Sequence, residues 1–221
     1  MKREIIETKD GSKTIHLPEL NESYHSTHGA LQEAKHVFIK SGWDELKKST
    51  CSVLEIGFGS GLNAILTLIN TEKDQKKVHY TGLEAFPVDK DEVTALNYSE
   101  IAEISPYHEE YLLLHSSPWG EDVKINKGFT LRKIELEMAD FTPENEVFDL
   151  VFFDAFGPRV QPEMWERTVL QKMYDALSPN GIFVTYCAKG DVRRNLISVG
   201  FEVEKISGPP GKREMLRGVK K

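Results

Sequence analysis

The seven residues Glu55-Ile56-Gly57-Phe58-Gly59-Ser60-Gly61 limit the possible folds more than any other stretch of the chain. An apolar run, 51–56, enters three closely spaced glycines, and a helical pattern over 62–69 leaves them. Strand, tight glycine turn and helix open a parallel strand–helix–strand unit. The rhythm recurs. Val78 to Glu84 reads as a strand and Asp89 to Tyr98 as a helix opening on acidic residues, which suit its positive end. Phe148 to Asp154 reads as a buried strand, and Pro162 opens a helix to about Leu177. Pro179-Asn180-Gly181 turns the chain into a strand over 182–186, followed by a helix from Asp191 to Val199 closed by Gly200. The end, 201–206 and 213–219 around Gly-Pro-Pro-Gly, reads as an antiparallel pair. Between these units Lys124 to Glu137 alternates around Asn126-Lys127-Gly128, the pattern of an inserted β-hairpin, and TEKDQKK at 71–77 reads as a solvated connection. The first fifty residues have a different texture, with an edge strand over 12–17 and helical spacing over 29–40. The expectation is an α/β, Rossmann-like domain over 51–221. Its sheet is mostly parallel with an antiparallel C-terminal hairpin, and residues 1–50 form a small extension packed on it.

A chain of 221 residues buries enough surface to need neither disulfides nor a metal. Its two cysteines, Cys51 and Cys187, lack the CxxC spacing of a zinc or redox site, and the strand order keeps them apart. His25 and His28 stand three apart with no cysteine or acid at matching spacing, so no metal is expected. Apolar runs such as 150–153 are far short of a membrane span, and MKREIIETKDG lacks the apolar core of a signal peptide. A cytoplasmic protein is expected. No heptad or apolar stripe is visible, which points to a monomer. The net charge of −7 hides an asymmetry: from Lys189 onward nine Lys and Arg face four Asp and Glu. Such an end either grips a polyanion or is simply solvated.

The third glycine comes one residue too early for the dinucleotide fingerprint G-x-G-x-x-G. E-x-G-x-G-x-G resembles instead the loop that binds S-adenosylmethionine, and the strand layout resembles class I methyltransferases. Gly57, Gly59 and Gly61 make the loop, with Asn63 just beyond it, and Glu55 is placed to hold the amino-acid end of the cofactor. Glu84 ends the second strand, where a carboxylate takes ribose hydroxyls, and Asp140 follows the hairpin, where the adenine amino group lies. All fall at predicted C-terminal ends of strands, the ligand-binding rim of open α/β sheets. Taken singly, each acid is equally well a solvated cap.

Asp154-Ala155-Phe156-Gly157-Pro158-Arg159-Val160-Gln161-Pro162-Glu163-Met164-Trp165 ends a buried strand in an aspartate that would face the cofactor's methyl group. An amine acceptor suits such an acid, because a protonated amine cannot attack a sulfonium. As isolated residues, Asp154 fits turn capping and Trp165 fits core packing just as well.

GFGSGLN at 57–63, DAFGPRVQPEMW at 154–165, VRRNLISVGFEVEKISGPPGKREMLRG at 192–218 and YHSTHGALQEAKHVFI at 24–39 together resemble one family. It is the methyltransferase module of the bifunctional tRNA 5-methylaminomethyl-2-thiouridine biosynthesis proteins (MnmC type). Here Ala155 stands where that family usually has glycine before the phenylalanine. The resemblance implies S-adenosylmethionine-dependent N-methylation of the 5-aminomethyl group of (2-thio)uridine at the tRNA wobble position. The resemblance is to a stand-alone form of the module, so neither the family's flavin oxidase domain nor flavin is expected. Asp154 would hold and deprotonate the amine, with Phe156 and Pro158 walling the pocket. Tyr24, Phe156 or Trp165 would stack the unpaired anticodon base. Lys189, Arg193, Arg194, Lys212, Arg213 and Arg217 would face tRNA phosphates. A polyamine aminopropyltransferase, with the same fold and an aspartate after the fourth strand, is the alternative.

Overall fold

A computed structural model of the chain describes residues 2–221. Strands β1 (Glu4–Glu7), β2 (Lys13–Leu17) and β3 (Glu22–Ser23) form a small antiparallel sheet, and α1 (Ala30–Ala34) follows, running on as a π-helix over Lys35–Lys40. Next come β4 (Thr50–Ile56), α2 (Leu62–Lys73), β5 (Lys77–Glu84), α3 (Lys90–Leu96) and α4 (His108–Ser116). The remainder comprises β6 (Asp122–Lys124), β7 (Phe129–Glu135), β8 (Phe148–Phe153), α5 (Arg167–Ala176), β9 (Leu177–Thr185), α6 (Gly190–Ser198), β10 (Phe201–Ser207) and β11 (Glu214–Lys220). The eight strands from β4 onward lie in the order β10–β11–β9–β8–β4–β5–β7–β6. The five from β9 to β7 are parallel, and β10, β11 and β6 join antiparallel.

The central strands read as unbroken apolar runs because both faces are covered. Alternate residues serve different layers. Val53, Leu150 and Phe152 pack under α2, α4 and the N-terminal residues Phe38 and Trp43. Leu54, Ile56, Val151 and Phe153 pack against Leu170 and Met173 of α5 and Leu196 of α6. Helix α3 starts at a capping box, in which Asp89 accepts from the Glu92 amide and Glu92 from the Asp89 amide. Cys51 and Cys187 are buried and free, on β4 and just past β9, with β8 between these strands.

Several readings of the sequence change: the edge strand expected over 12–17 is β2, the middle strand of its sheet, and the turn expected at 179–181 lies within β9. The Lys124–Glu137 hairpin forms between β6 and β7, but β7 is no insertion: it pairs in parallel with β5 from Val78↔Phe129 to Glu84↔Glu135. Its amphipathic look comes from Lys133, which is buried, donates from Nζ to the His115 carbonyl at 2.6 Å and lies 4.7 Å over the Trp119 ring. Burial pushes that ammonium down to about 8. The segment at 71–77 begins inside α2, where buried Thr71 bonds the Thr67 carbonyl. The helix expected from Pro162 is a single 3₁₀ turn, Pro162–Trp165, broken by extended Glu166 before α5.

The N-terminal sheet straddles the C-terminal rim of the large one. Arg3 donates to the Phe86 and Pro87 carbonyls and to Glu92 beyond β5. Arg159, beyond β8, donates to the Leu20 and Asn21 carbonyls and pairs with Glu22.

Candidate active site

Parallel pairing brings the ends of β4, β5 and β8 to one rim. Ile56 stands beside Phe153 and Leu83, so the glycine loop, Glu84 and Asp154 emerge together. The Gly57 and Phe58 amides donate to the Leu83 carbonyl at 2.9 and 3.0 Å, and the Asp154 amide to the Ile56 carbonyl at 3.0 Å. Gly57 has φ +87°, and a Cβ there would lie 2.7 Å from the Asp154 carbonyl oxygen. Only a residue without a side chain fits that turn. An open cleft results, lined by the glycine loop, Asn63, Glu84, Asp154 and Phe156 among others.

At one end of the cleft lies a buried polar cluster. Asn63, in the first turn of α2, donates from Nδ2 to Glu55 Oε1 at 2.8 Å and to Asp154 Oδ2 at 2.9 Å. These two acceptors fix the amide's orientation and aim Asn63 Oδ1 elsewhere. That oxygen and Ser60 Oγ are buried with no hydrogen-bond partner among the described residues. Glu55 is fully buried behind Asn63, and burial raises its carboxyl well above the usual range. It therefore reaches the cleft only through Asn63. Burial also pushes Asp154 up to about 7, with the Glu33 charge acting in the same direction. The Asn63 hydrogen bond and the Lys212 charge oppose the rise.

Glu84 also lines the cleft. Its Oε2 accepts from the Gly59 amide at 2.8 Å and its Oε1 from the Phe86 amide at 2.9 Å. The carboxylate is thereby locked while each oxygen keeps a lone pair for a further donor. Ala85, Phe86, Leu136 and Met138 add an apolar wall. Phe86 is 62% exposed at the rim. Asp140 is exposed and is not among the residues lining the cleft: the turn after β7 points Met138 inward and Asp140 to solvent.

The aromatic candidates separate. Tyr24 and Phe156 line the cleft, ring edge to ring face with centroids 5.4 Å apart. Trp165 is buried at 3% exposure, donates to the Phe156 carbonyl at 2.8 Å and packs on Phe153. It is core, with its ring inaccessible to a base. Pro158 is half-buried outside the lining. His25, which does line the cleft, is buried against Thr14, and burial lowers its imidazole to about 4. Among the described residues no group of three or more His, Cys, Asp and Glu is placed to hold a metal. Nor is any helix there long and apolar enough to cross a membrane.

The basic C-terminal residues do not form one face. Arg217 is held by Glu45 at 2.7 Å and Glu204 at 2.9 Å, and these bonds raise its guanidinium further. Arg194 pairs with Asp191 one turn away, and half-buried Arg193 leaves its Nε without a partner. Lys189 and Arg213 are exposed, while Lys212 pairs with Glu33 at 2.9 Å. Asn63's bridging role and the Glu33–Lys212 pair are the features that sequence reading missed. Glu33 and Lys212 lie 179 residues apart, and no spacing connects them.

The profile of a family described as S-adenosyl-L-methionine-dependent methyltransferase matches residues 103–221. The tRNA 5-methylaminomethyl-2-thiouridine biosynthesis bifunctional protein MnmC of Hydrogenovibrio crunogenus is 32% identical over 207 residues, covering 88% of this chain and 31% of that protein. Its namesake in Leptospira interrogans is 30% identical over 219 residues, covering 90% of this chain and 33% of that protein. The chain thus spans about a third of the length of these curated relatives. The crystal structure of MNMC2 from Aquifex aeolicus superposes with a TM-score of 0.76 at 23% identity, over 98% of this chain and 70% of that one. At that identity the likeness is one of fold.

Proposed function

Because the chain belongs to the family of S-adenosyl-L-methionine-dependent methyltransferases, we propose that it methylates a primary amine: the 5-aminomethyl group of (2-thio)uridine at the wobble position of tRNA. The observation that carries this reading is Asp154, a half-buried carboxyl held near neutral pH at the cleft end where β4 and β8 meet. The names of the curated relatives support the nucleoside and the tRNA, and with them a reaction of the cytoplasm.

The cleft fits the cofactor. Asn63 Oδ1 and Ser60 Oγ, buried and unpaired, match an ammonium group, and Glu84 has lone pairs for two hydroxyls. When bound, S-adenosylmethionine supplies a methyl group on a sulfonium centre, open to displacement by an amine lone pair. Asp154 first attracts the protonated acceptor amine and then takes its proton, leaving a neutral amine and a neutral carboxyl. A carboxyl raised toward 7 by burial is far better suited to that transfer than one near 4. Tyr24 and Phe156 wall the acceptor side and suit an unpaired base presented by a loop. Arg213 and Lys189, exposed, are the side chains offered to phosphate. The diamine alternative asks for a second free carboxylate beside Asp154. Glu33, the acid that acts on Asp154 from outside the sheet, is already matched by Lys212.

The test is nucleoside mass spectrometry on tRNA carrying 5-aminomethyluridine, incubated with the protein and S-adenosylmethionine. One methyl gained at that nucleoside is expected, with tRNA affinity falling steeply as salt rises. If the cofactor binds but no methyl reaches the nucleoside, while putrescine or spermidine is alkylated, the tRNA reading fails. Glu84→Gln is expected to weaken cofactor binding roughly tenfold or more by calorimetry, since one hydrogen bond to a charged acceptor is lost. Unchanged affinity would remove Glu84 from the site.

A further inference from the structure

Asp154 is surrounded by titratable groups, yet few of them carry charge at neutral pH. Glu55 (β4) and Tyr80 (β5) are both buried, and burial raises each well above its ordinary value and disfavours its charged form. Tyr186, just past β9, is likewise raised, and His25 of the N-terminal extension is lowered to about 4. The charges left acting on Asp154 are the carboxylate of Glu33, on α1, and the ammonium of Lys212, in the loop joining β10 to β11.

Glu33 is buried and Lys212 lies over it at the surface, its side chain 37% exposed. Lys212 Nζ lies 2.9 Å from Glu33 Oε1 and 3.9 Å from the centroid of the Tyr186 ring. Both contacts fix an ammonium: one is an ion pair, the other a cation–π contact. The Tyr186 hydroxyl in turn donates to the carbonyl of Ala155, the residue after Asp154, at 2.8 Å. Glu33 is buried, and its second oxygen accepts from the Ser26 amide at 2.6 Å. The loop that carries Lys212 is itself held. His36 reaches the Ser207 carbonyl at 2.7 Å, and Gly211, at φ +88°, packs so closely on His28 that a Cβ would sit 2.5 Å from its ring.

We propose that Lys212 is a positioning residue of the transfer site: clamped between the Glu33 carboxylate and the Tyr186 ring, its ammonium keeps the Asp154 carboxylate ready for the acceptor amine. This assignment rests on the amine acceptor proposed above, and the site acts as a graded pair. Lys212 favours the charged form of Asp154 and Glu33 disfavours it.

The test follows the Asp154 carboxyl directly, by carbon-13 NMR of aspartate-labelled full-length protein, with Asp154→Asn identifying the resonance. Lys212→Met removes a neighbouring positive charge and is expected to raise the Asp154 midpoint by roughly half to one pH unit. Glu33→Gln removes a negative charge and is expected to lower it by a similar amount, and Lys212→Arg should leave it near that of the parent protein. The acid limb of the methyl-transfer rate should move with the carboxyl in each variant. Opposite shifts separate this role from structural damage, which would move both variants the same way. A Lys212→Met protein with native circular dichroism and an unmoved midpoint overturns the proposal. So does a Glu33→Gln midpoint that rises, and this second variant decides the matter if the first does not fold. The NMR titration requires no tRNA. A correct pair of shifts with no methylated nucleoside would condemn the proposed substrate and leave the Lys212 assignment standing.

Discussion

Asp154→Asn is expected to lower methyl transfer by roughly 10²- to 10⁴-fold, the range for losing a positioned acid or base, with cofactor affinity changed by only a few-fold. Asparagine keeps the shape of the side chain, and its carbonyl can still accept from Asn63 Nδ2, 2.9 Å away in the parent protein. What it loses is the ability to take a proton. The acceptor amine then stays an ammonium, whose lone pair is unavailable. The pH dependence carries the same information. A carboxyl held at about 7 must ionise to receive the amine, so kcat/KM of the parent protein should rise through an acid limb near that pH. Because the native carboxyl holds its proton longer than the unfolded one, folding stability falls as pH rises from about 4 toward 7. Activity and stability therefore run in opposite directions across this window. Steady-state kinetics from pH 5.5 to 9, beside calorimetric cofactor titrations, separate rate from binding. A variant retaining a tenth of the parent rate would show that Asp154 is not the proton acceptor.

The parts of this arrangement that were legible in the sequence are those set by local pattern. Strands buried on both faces must be apolar throughout, so 51–56 and 148–153 announced themselves. Their ends, where the pattern breaks into glycines, Glu84 or Asp154, had to lie on the ligand-binding rim. What escaped depends on contacts between distant segments. Strand β7 looked like half of an exposed hairpin because Lys133 interrupts it, and only the His115 carbonyl and the Trp119 ring make that lysine a buried residue. Trp165 occupies a first turn after Pro162, a position open to either solvent or core; Phe153 and the Phe156 carbonyl decide for the core. Glu55 stands before the glycines, where spacing suggests a partner for the cofactor; spacing does not show Asn63, in the first turn of α2, whose amide bridges Glu55 and Asp154.

Gly57→Ala is expected to damage binding and catalysis together, through a contact no spacing reveals. Its φ of +87° strains any L-residue, at a cost of about 1–3 kcal/mol. Gly120 has nearly the same φ, +82°, with nothing within 4 Å of its Cβ position, so Gly120→Ala measures that strain alone. At Gly57 the added carbon meets the backbone carbonyl of Asp154 at 2.7 Å. Backbone cannot rotate aside like a side chain, so either the glycine loop or the end of β8 must move. Both line the cleft, and the Gly59 amide that holds Glu84 belongs to the same loop. Cofactor affinity should accordingly fall by about 100-fold or more, equivalent to roughly 3 kcal/mol. The thermal midpoint should fall several degrees further than in Gly120→Ala, at about 2–4 °C per kcal/mol for a chain of this size. A Gly57→Ala protein that binds S-adenosylmethionine within threefold of the parent would mean that the loop and Asp154 are not coupled through this contact, and that a nearby shift absorbs the methyl group.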